Sequence, residues 1–324
     1  MILAGDIGGT HTRIAIFDPH SSPLRPIRQA DYPSQKYPGL SEIALDFLAH
    51  EPAQIDYCCF GVAGPVADGK SHPTNIPWAL DSSEIAARVG APCSLINDLE
   101  ANAYGISALE PQDFAILQPG TPCHEANAGV ISAGTGLGEA GMFWDGKSYR
   151  PFASEGGHVT FSPRNALEIH LLNYLLKRWN HVSWERVLSG PGLLNIYEFF
   201  RDTGRGEEPS WLTERLRNGD RSATIAHAAI HSESELCAMA LDLFVSLYGA
   251  EAGNLALKLM ARGGIYLGGG IAPRILGQLK QGTFLLSFRE KGRMHQTLEH
   301  IPVLVILNDQ ASLIGAAKCA VILM

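Results

Sequence analysis

The sequence has no basic patch and no long apolar run, and each absence excludes a class of partner. Its 324 residues carry a formal net charge of −8, and the only short basic cluster, residues 289–293, includes Glu290. Proteins that bind the backbone of nucleic acids usually present a basic patch or stripe. A membrane-spanning helix needs roughly 18 consecutive apolar residues, and the sequence contains no such run. We therefore expect neither a nucleic-acid partner nor a membrane partner.

Cysteine is scarce and follows no disulfide or metal-binding spacing. The six cysteines form no Cys-x-x-Cys pair and are scattered among apolar neighbours. This distribution is typical of reduced core residues, not of a disulfide framework or a metal site. The first apolar run is broken at Asp6 and no basic segment precedes it, so we expect no signal peptide and a cytoplasmic protein.

The remaining composition favours a two-domain protein. With 46% hydrophobic residues, a chain of this length can form two cores of ordinary size. Two domains imply a cleft, and repeated glycine motifs in the two halves of the chain agree with that organisation.

A glycine pair separates two apolar runs at the start of the chain. The runs 2–4 and 14–17 flank Asp6, Ile7, Gly8, Gly9 and Thr10, a pattern typical of two strands joined by a tight hairpin. Because glycine accepts positive φ and has no Cβ, the turn's N–H groups and the Thr10 hydroxyl can surround an anion. Asp6 is then suited to hold an Mg²⁺ that bridges phosphate oxygens. An ordinary glycine hairpin has the same sequence pattern.

The same pattern returns in the second half of the chain. An apolar strand from Val130 is followed by Gly134, Thr135, Gly136 and Gly138, and a second strand then ends in an aromatic residue and an aspartate. The repetition predicts two halves of similar design, each with an anion-binding hairpin at a shared cleft. A third junction, formed by Gly268, Gly269 and Gly270, predicts a flat wall against which a purine ring can lie.

Two polar residues follow one of the predicted strands directly. Asn97 and Asp98 come after the strand 94–96, at the end where open α/β sheets tend to bind ligands. A plain helix N-cap explains one such residue. A cap needs only one, so the pair also suggests a functional role.

An acid and an imidazole occur together later in the chain. Glu155 and His158 are separated by two glycines, which predicts a loop that aims both side chains inward. Glu185 lies beyond them, and a surface ion pair with Arg186 or Arg178 is its simplest explanation from the sequence.

The first hundred residues predict the element order β-β-β-α-β-α-β-α, with strand pairing that begins antiparallel and becomes parallel. This order is that of an actin-like, ribonuclease-H-like half. The other segments that we predict are a polar loop over 74–78, a helix from Ser162-Pro163, a mobile excursion over 203–209, a long helix from a Ser232/Glu235 capping box to about Leu259, and a helix over 308–317.

Six segments, taken together and in order, resemble those of the bacterial glucokinases of the hexokinase, actin and heat-shock-70 ATPase superfamily. They are residues 6–10, 95–98, 134–138, 155–158, 184–190 and 267–270. The resemblance runs nearly end to end. It implies an α/β, two-domain actin-like (ribonuclease-H-like) ATPase fold with a central cleft. Residues 1–108 plus 308–324 would form a small α/β domain, and residues 109–307 a large one.

The resemblance also implies an activity, the ATP-dependent phosphorylation of D-glucose at its 6-hydroxyl in glycolysis, with Asp98 as the catalytic base. Glucose would be bound by Asn97, Asp98, Glu155, His158 and Glu185. The cofactors would be ATP and Mg²⁺, with Asp6 as the metal ligand. The nucleotide would be bound by Gly8, Gly9, Thr10, Gly134, Thr135, Gly136, Gly138, Gly268, Gly269 and Gly270. A homodimer is common in the family, so we expect one.

The sequence departs from related patterns at two places. The sister group of repressors, open reading frames and kinases usually carries a cysteine-rich zinc motif after the Gly-His pair, whereas residues 159–163 contain no cysteine here, so we expect no zinc. Ser132 and Ala133 precede the second glycine turn, and Glu139 follows it. An acid at that position lies close to where anionic phosphates are expected.

Two other functions remain open from the sequence. The first is a kinase for another hexose, such as fructose or an N-acetylhexosamine, because the polar residues predict hydroxyl recognition better than sugar identity. The second is a non-catalytic sugar sensor, although such regulators carry a helix-turn-helix before the first hairpin, which here starts at residue 2. Polyphosphate also remains open as an alternative phosphoryl donor.

Overall fold

The structure is a computed structural model that describes residues 1–73, 76–121 and 123–324. Residues 74 and 75 of the predicted polar loop lie outside the described residues. The strands are β1 (Ile2–Ile7), β2 (His11–Phe17), β3 (Pro26–Pro33), β4 (Tyr57–Val62), β5 (Val66–Ala67), β6 (Lys70–Ser71), β7 (Leu80–Asp81), β8 (Cys93–Asn97), β9 (Phe114–Gln118), β10 (Ala128–Ala133), β11 (Leu137–Trp144), β12 (Tyr149–Ser154), β13 (Gly264–Gly268) and β14 (Val303–Ile306).

The helices alternate with these strands in the first half of the chain and dominate the second half. They are α1 (Leu40–His50), α2 (Ser82–Val89), α3 (Asp98–Ile106), α4 (Ala166–Leu175), α5 (Gly190–Asp202), α6 (Ser210–Asn218), α7 (Arg221–Ile230), α8 (Glu235–Leu259), α9 (Ile271–Arg274), α10 (Leu276–Leu279), α11 (Thr283–Arg289), α12 (His295–Glu299) and α13 (Ala311–Leu323).

The chain divides into two compact units. Unit 1 comprises Met1–Phe114, Asp145–Ala153 and Asn308–Met324, and unit 2 comprises Ala115–Trp144 and Ser154–Leu307. Like unit 1, the predicted small domain contains residues 308–324. Residues 109–114 and 145–153 differ, because they belong to unit 1 but to the predicted large domain. The division of the chain into folding domains stays a prediction.

Unit 1 is built on a five-stranded sheet with the order β3-β2-β1-β4-β8. β1 pairs antiparallel with β2, and β4 pairs parallel with both β1 and β8. The central strand β1 is apolar and almost wholly buried, as expected of a strand covered on both faces. The predicted order and pairing are therefore confirmed, with one addition, a small sheet β5-β6-β7 that the sequence analysis does not predict.

Helix α13 returns from the end of the chain to pack on α3 and β1 within unit 1. The two helices approach so closely that a Cβ atom on Gly315 would overlap the backbone carbonyl oxygen of Ala101. The predicted helix at 308–317 is thus present, but it begins at Ala311 and extends to Leu323. Its small residues permit this crossing, since larger side chains would hold the two helix axes apart.

Five strands of unit 2 run in the order β11-β10-β13-β14-β9. β10 pairs antiparallel with β11 and parallel with β13, and β13 pairs parallel with β14. Helix α8 packs against α5, α7 and α11 in the core of this unit. By length and mean hydropathy α8 is the one described helix that would suffice to cross a membrane, but 78% of its apolar window is buried inside the protein.

Two helix starts differ from the sequence prediction. Helix α4 begins at Ala166, with Asn165 as the N-cap that accepts from the Glu168 N–H, and not at Ser162-Pro163. Helix α8 begins at Glu235 because the side chain of Ser234 caps the Cys237 N–H, so the predicted capping box from Ser232 is wrong. Its predicted end at Leu259 is confirmed.

The polar segment 203–209, predicted as a mobile excursion, is held at Glu208. Its carboxylate accepts hydrogen bonds from the Tyr197 hydroxyl (2.6 Å) and the Thr213 hydroxyl (2.6 Å). These contacts connect α5 to α6, which follows directly. Helices α6 and α7 are not predicted from the sequence, although each has two or more buried apolar residues on one face.

Candidate active site

The turn between β1 and β2 is preformed, because Ser34 donates hydrogen bonds to two of its carbonyl groups. The Gly8 N–H donates to the His11 carbonyl (3.0 Å), the Ser34 hydroxyl donates to the Gly8 carbonyl (2.7 Å), and the Ser34 N–H donates to the Thr10 carbonyl (3.0 Å). The φ angle of Gly8 lies outside the left-handed region. The turn therefore does not need positive φ at Gly8, and the N–H of that residue is already bonded.

The register of the sheet brings this turn and Asp98 to one edge. Ile7 pairs with Val62, and Val62 pairs with Asn97 on the next strand, all in parallel orientation. The residues that follow, Gly8 and Asp98, thus leave the sheet at the same carboxyl edge. Ligands of open α/β sheets bind at this kind of edge.

Asn97 and Asp98 form the start of α3. Asn97 is the N-cap, since its side-chain oxygen accepts from the Leu99 N–H (2.9 Å) while its amide donates to the Gly64 carbonyl (3.0 Å). Asp98 Oδ1 accepts from the same Leu99 N–H (3.0 Å). The sequence allowed either residue to be a plain helix N-cap. Asn97 is that cap, so the Asp98 carboxylate is not needed for capping.

The carboxylates of Asp6 and Asp98 are electrostatic neighbours. Burial and, to a smaller extent, the negative charge of Asp6 together raise the pKa of Asp98 to about 6. Burial also raises the pKa of Asp6, against the hydrogen bond from the Ser312 hydroxyl (3.1 Å) and the charge of Arg13, which lower it. Two neighbouring carboxylates that resist ionisation can be stabilised by a cation or by a proton received from a substrate.

This pair fits the requirements of Mg²⁺. Mg²⁺ usually binds through one or two carboxylates, substrate phosphates and several waters, not through a cage of protein ligands. In the described part of the chain no group of three or more His, Cys, Asp and Glu side chains could hold a metal ion. Asp6 is the donor whose negative charge a cation would offset, since burial raises the pKa of its carboxyl group. The absence of zinc stays a prediction.

The second glycine turn, between β10 and β11, is organised in a similar way. The Gly134 N–H donates to the Gly136 carbonyl (2.9 Å), and the Gly134 carbonyl accepts from the Gly190 N–H (2.8 Å) at the start of α5. The Leu137 N–H donates to Glu185 Oε2 (3.1 Å). Within the described residues, Thr135 and Gly136 therefore carry the N–H groups left for an anion, and Thr135 is exposed.

The third glycine segment follows β13 beside the end of β10. Gly268 pairs with Ser132, and Gly269 has φ +77°, where a side chain would also overlap the Ala133 carbonyl oxygen. Gly269 and Gly270 are exposed. Gly269 is therefore required by the backbone, and the exposed face it shares with Gly270 is open to a ligand.

A short antiparallel pairing brings His158 and Glu185 together in unit 2. Thr160 pairs with Ser183, and the Trp184 N–H donates to the Val159 carbonyl (3.0 Å). Since antiparallel partners advance in opposite directions, positions 158 and 185 come to the same end of this pairing. His158 Nε2 is 3.8 Å from Glu155 Oε2, and both side chains are largely exposed.

The surface ion pair considered for Glu185 is wrong. Glu185 is half-buried and lies against Gly136, where an added Cβ would be 2.6 Å from its Oε2 atom. Arg178 instead pairs with Glu198, and Arg186 lies over the Trp179 ring. Glu185 therefore connects the second glycine turn to the residues predicted to bind the sugar.

Glu139 does not point into the second glycine turn. It is 2% exposed in the middle of β11, and its carboxylate lies against the backbone of Gly156. Burial and the nearby Glu251 carboxylate raise its pKa to about 8. The sequence marks this acid but not its partner, because Glu251 lies 112 positions further along the chain.

Comparison with known proteins identifies the family. Residues 3–322 match the family model described as Glucokinase. A glucokinase from Nostoc sp. is 44% identical over 337 residues, covering 99% of this chain and 98% of that protein. The crystal structure of a glucokinase from an Antarctic psychrotroph superposes with a TM-score of 0.87 at 31% identity and covers 98% of both chains.

A more distant structure shares the fold. A ROK family glucokinase from Streptomyces griseus, solved in complex with glucose and AMPPNP, has a TM-score of 0.69 at 22% identity and covers 98% of both chains. Together with the closer match, it confirms the predicted α/β, actin-like ATPase fold.

Proposed function

Because the chain belongs to the glucokinase family, we propose that Asp98 is the catalytic base with which it phosphorylates glucose at the 6-hydroxyl, using ATP. The observation that carries the proposal is that the carboxylates of Asp98 and Asp6 are electrostatic neighbours at the carboxyl edge of the unit 1 sheet. The raised pKa of Asp98, about 6, supports this role, because a general base works best with a pKa near the operating pH.

Asp98 accepts the proton of the 6-hydroxyl as that oxygen attacks the γ-phosphoryl group. The transition state of phosphoryl transfer is loose, so the main contribution of the base is to orient the hydroxyl. Asn97 keeps Asp98 in place, because it caps α3 and bonds to Gly64 at the same time. Mg²⁺, bound through Asp6, would neutralise charge on the phosphate oxygens.

The nucleotide is bound by the glycine segments in this proposal. The N–H groups at the tips of the two turns, on Gly9, Thr10, Thr135 and Gly136, donate to phosphate oxygens, because those of Gly8 and Gly134 close their own turns. Gly8, Gly134 and Gly138 shape the turns, and Gly268, Gly269 and Gly270 lie beside adenosine.

In this proposal glucose is bound by Asn97, Asp98, Glu155, His158 and Glu185. An amide, an imidazole and carboxylates suit a ligand with several hydroxyls, because they offer both donors and acceptors. The exposure of Glu155 and His158 supports this assignment. Their hydrogen-bonding atoms are accessible to a ligand before it binds.

We expect His158→Ala to weaken glucose binding without abolishing turnover. Losing one hydrogen bond costs about 0.5–1.5 kcal/mol, which corresponds to a KM for glucose raised about 2- to 12-fold. Steady-state kinetics with varied glucose checks this result. His231→Ala is the matched control, because His231 is an exposed histidine of the same unit outside the proposed site. An unchanged KM in His158→Ala would reassign His158 to a structural role.

The test of the function is a coupled assay of ADP release over a panel of hexoses. We expect glucose to give the highest kcat/KM, with fructose and N-acetylhexosamines far below it. The same panel with polyphosphate in place of ATP identifies the donor, and we expect ATP. A preference for another hexose would support the alternative kinase, and no turnover with any sugar would support a sugar sensor.

We also propose that the enzyme acts in the cytoplasm as a homodimer. The six cysteines are all free, as is usual in a reducing compartment. Light scattering coupled to size exclusion measures the mass, and a value near that of the 34.9 kDa chain would contradict the dimer.

A further inference from the structure

The loop 155–158, which carries the predicted glucose-binding residues Glu155 and His158, contacts β11 through Gly156 and Gly157. The carboxylate of Glu139 lies so close to Gly156 that a Cβ atom there would overlap it, and a Cβ on Gly157 would overlap the Leu137 carbonyl oxygen. The Ser154 hydroxyl also donates to the Glu139 carbonyl (2.9 Å). The backbone between Glu155 and His158 is therefore supported directly by the Glu139 side chain.

Glu139 shares its buried environment with a second carboxylate. Glu251, on α8, is 0% exposed and accepts hydrogen bonds from Asn254 (2.7 Å) and Lys258 (3.2 Å). Lys291 adds positive charge near Glu251 below about pH 8, the value to which burial lowers the pKa of its amine. Two neighbouring buried carboxylates do not both ionise readily, and the donors around Glu251 stabilise its ionised form.

Burial raises the pKa of both carboxyls, but the hydrogen bonds from Asn254 and Lys258 lower the pKa of Glu251, which favours Glu139 as the member of the pair that holds the proton. Within the described residues no donor reaches the buried Oε1 atom of Glu139, so an ionised Glu139 would leave this acceptor unsatisfied. A protonated Glu139 can donate to Glu251, and a hydrogen bond between the two side chains contributes to its raised pKa of about 8. The other groups that face it are Lys258, which lowers the pKa, and the Tyr248 phenol.

We propose that Glu139 is a positioning residue for sugar binding: as a neutral acid hydrogen-bonded to Glu251, it supports Gly156 and so keeps Glu155 and His158 in their binding geometry. This inference rests on the proposed glucose-binding role of those two residues. When Glu139 ionises, two buried like charges repel each other and its support of the loop is lost.

The test compares Glu139→Gln with Glu139→Ala in the full-length enzyme between about pH 6.5 and 9. In the wild type we expect the KM for glucose to rise as pH passes about 8, while the KM for ATP stays constant. Glu139→Gln keeps the size and cannot ionise, so its KM should stay low and lose this pH dependence. Glu139→Ala removes the support, so its glucose KM should rise about tenfold at every pH, a loss of about 1.4 kcal/mol, with kcat changed less than about threefold.

Thermal melting provides a readout that does not depend on activity. Because the folded-state pKa of Glu139 lies above its unfolded value of 4.5, the stability it contributes is complete below that pH and is lost as pH rises through about 8. The melting temperature of Glu139→Gln should therefore rise relative to that of the wild type as pH increases from 4.5 to about 8. A constant difference would overturn the assignment of the proton to Glu139.

The two proposals can fail separately. If the wild type phosphorylates glucose and His158→Ala raises its KM, but both Glu139 variants keep wild-type KM values at every pH, the positioning role is wrong and the function stands. If no hexose is phosphorylated, the function fails first. A Glu139→Gln variant with the same pH-dependent KM as the wild type would also overturn the inference.

Discussion

Asp98→Asn should lower kcat by about 10²- to 10⁴-fold, the usual contribution of a general base. Asparagine keeps the size of the side chain and an oxygen that can accept from the Leu99 N–H, as Asp98 Oδ1 does at 3.0 Å. It cannot take up the proton of the attacking hydroxyl. The affinity for glucose should therefore change less than about threefold, measured by equilibrium titration, while the coupled assay measures turnover.

Glu100→Gln is the matched control for this variant. Glu100 is on the same first turn of α3, and burial also raises its pKa, but it has no role in the proposed chemistry. Its turnover should stay within about twofold of the wild type. Near-normal turnover in Asp98→Asn would remove Asp98 from its role. Equal losses in both variants would indicate a general defect of α3.

The features that the sequence predicts well are those encoded by neighbouring residues. The glycine turns at residues 8–10 and 134–138 follow short apolar strands, and both form the predicted hairpins. The element order of unit 1 is also local, because each strand and helix has its own periodicity. For these elements the tertiary structure agrees with the local preference.

The features that could not be predicted depend on distant contacts. Ser312 donates to Asp6 across 306 positions, and Ser34 holds the first turn from outside its hairpin. The start of α8 shows the same limit on a shorter scale, since the local pattern predicts a cap at Ser232 whereas the folded backbone places the cap at Ser234. Such choices depend on packing, which a local pattern does not encode.

Glu185 shows how a site residue can be misassigned from the sequence. Its neighbours Arg178 and Arg186 made a surface pair the simplest explanation, yet both arginines have other partners. Glu185 instead accepts from the Leu137 N–H (3.1 Å), and it lies next to the pairing of Thr160 with Ser183. That pairing is a single bridge without an alternating apolar pattern, so nothing in the sequence marks it.

Gly315→Ala should lower the free energy of unfolding by about 2–3 kcal/mol, because overpacking a tight contact forces the backbone to move. The new Cβ would overlap the carbonyl oxygen of Ala101, which is a backbone atom and cannot rotate away. Chemical denaturation with urea measures the change. Since α3 begins at Asp98, a displaced α3 should also move the proposed base, and kcat should fall together with stability.

Gly277→Ala is the control for this last prediction. Gly277 lies in α10, is exposed, and an added Cβ would meet nothing within 4 Å. The same substitution there should be neutral or stabilise the protein by up to about 1 kcal/mol, since alanine restricts the unfolded chain more than glycine does. If Gly315→Ala were as stable as Gly277→Ala, the close crossing of α3 and α13 would be contradicted.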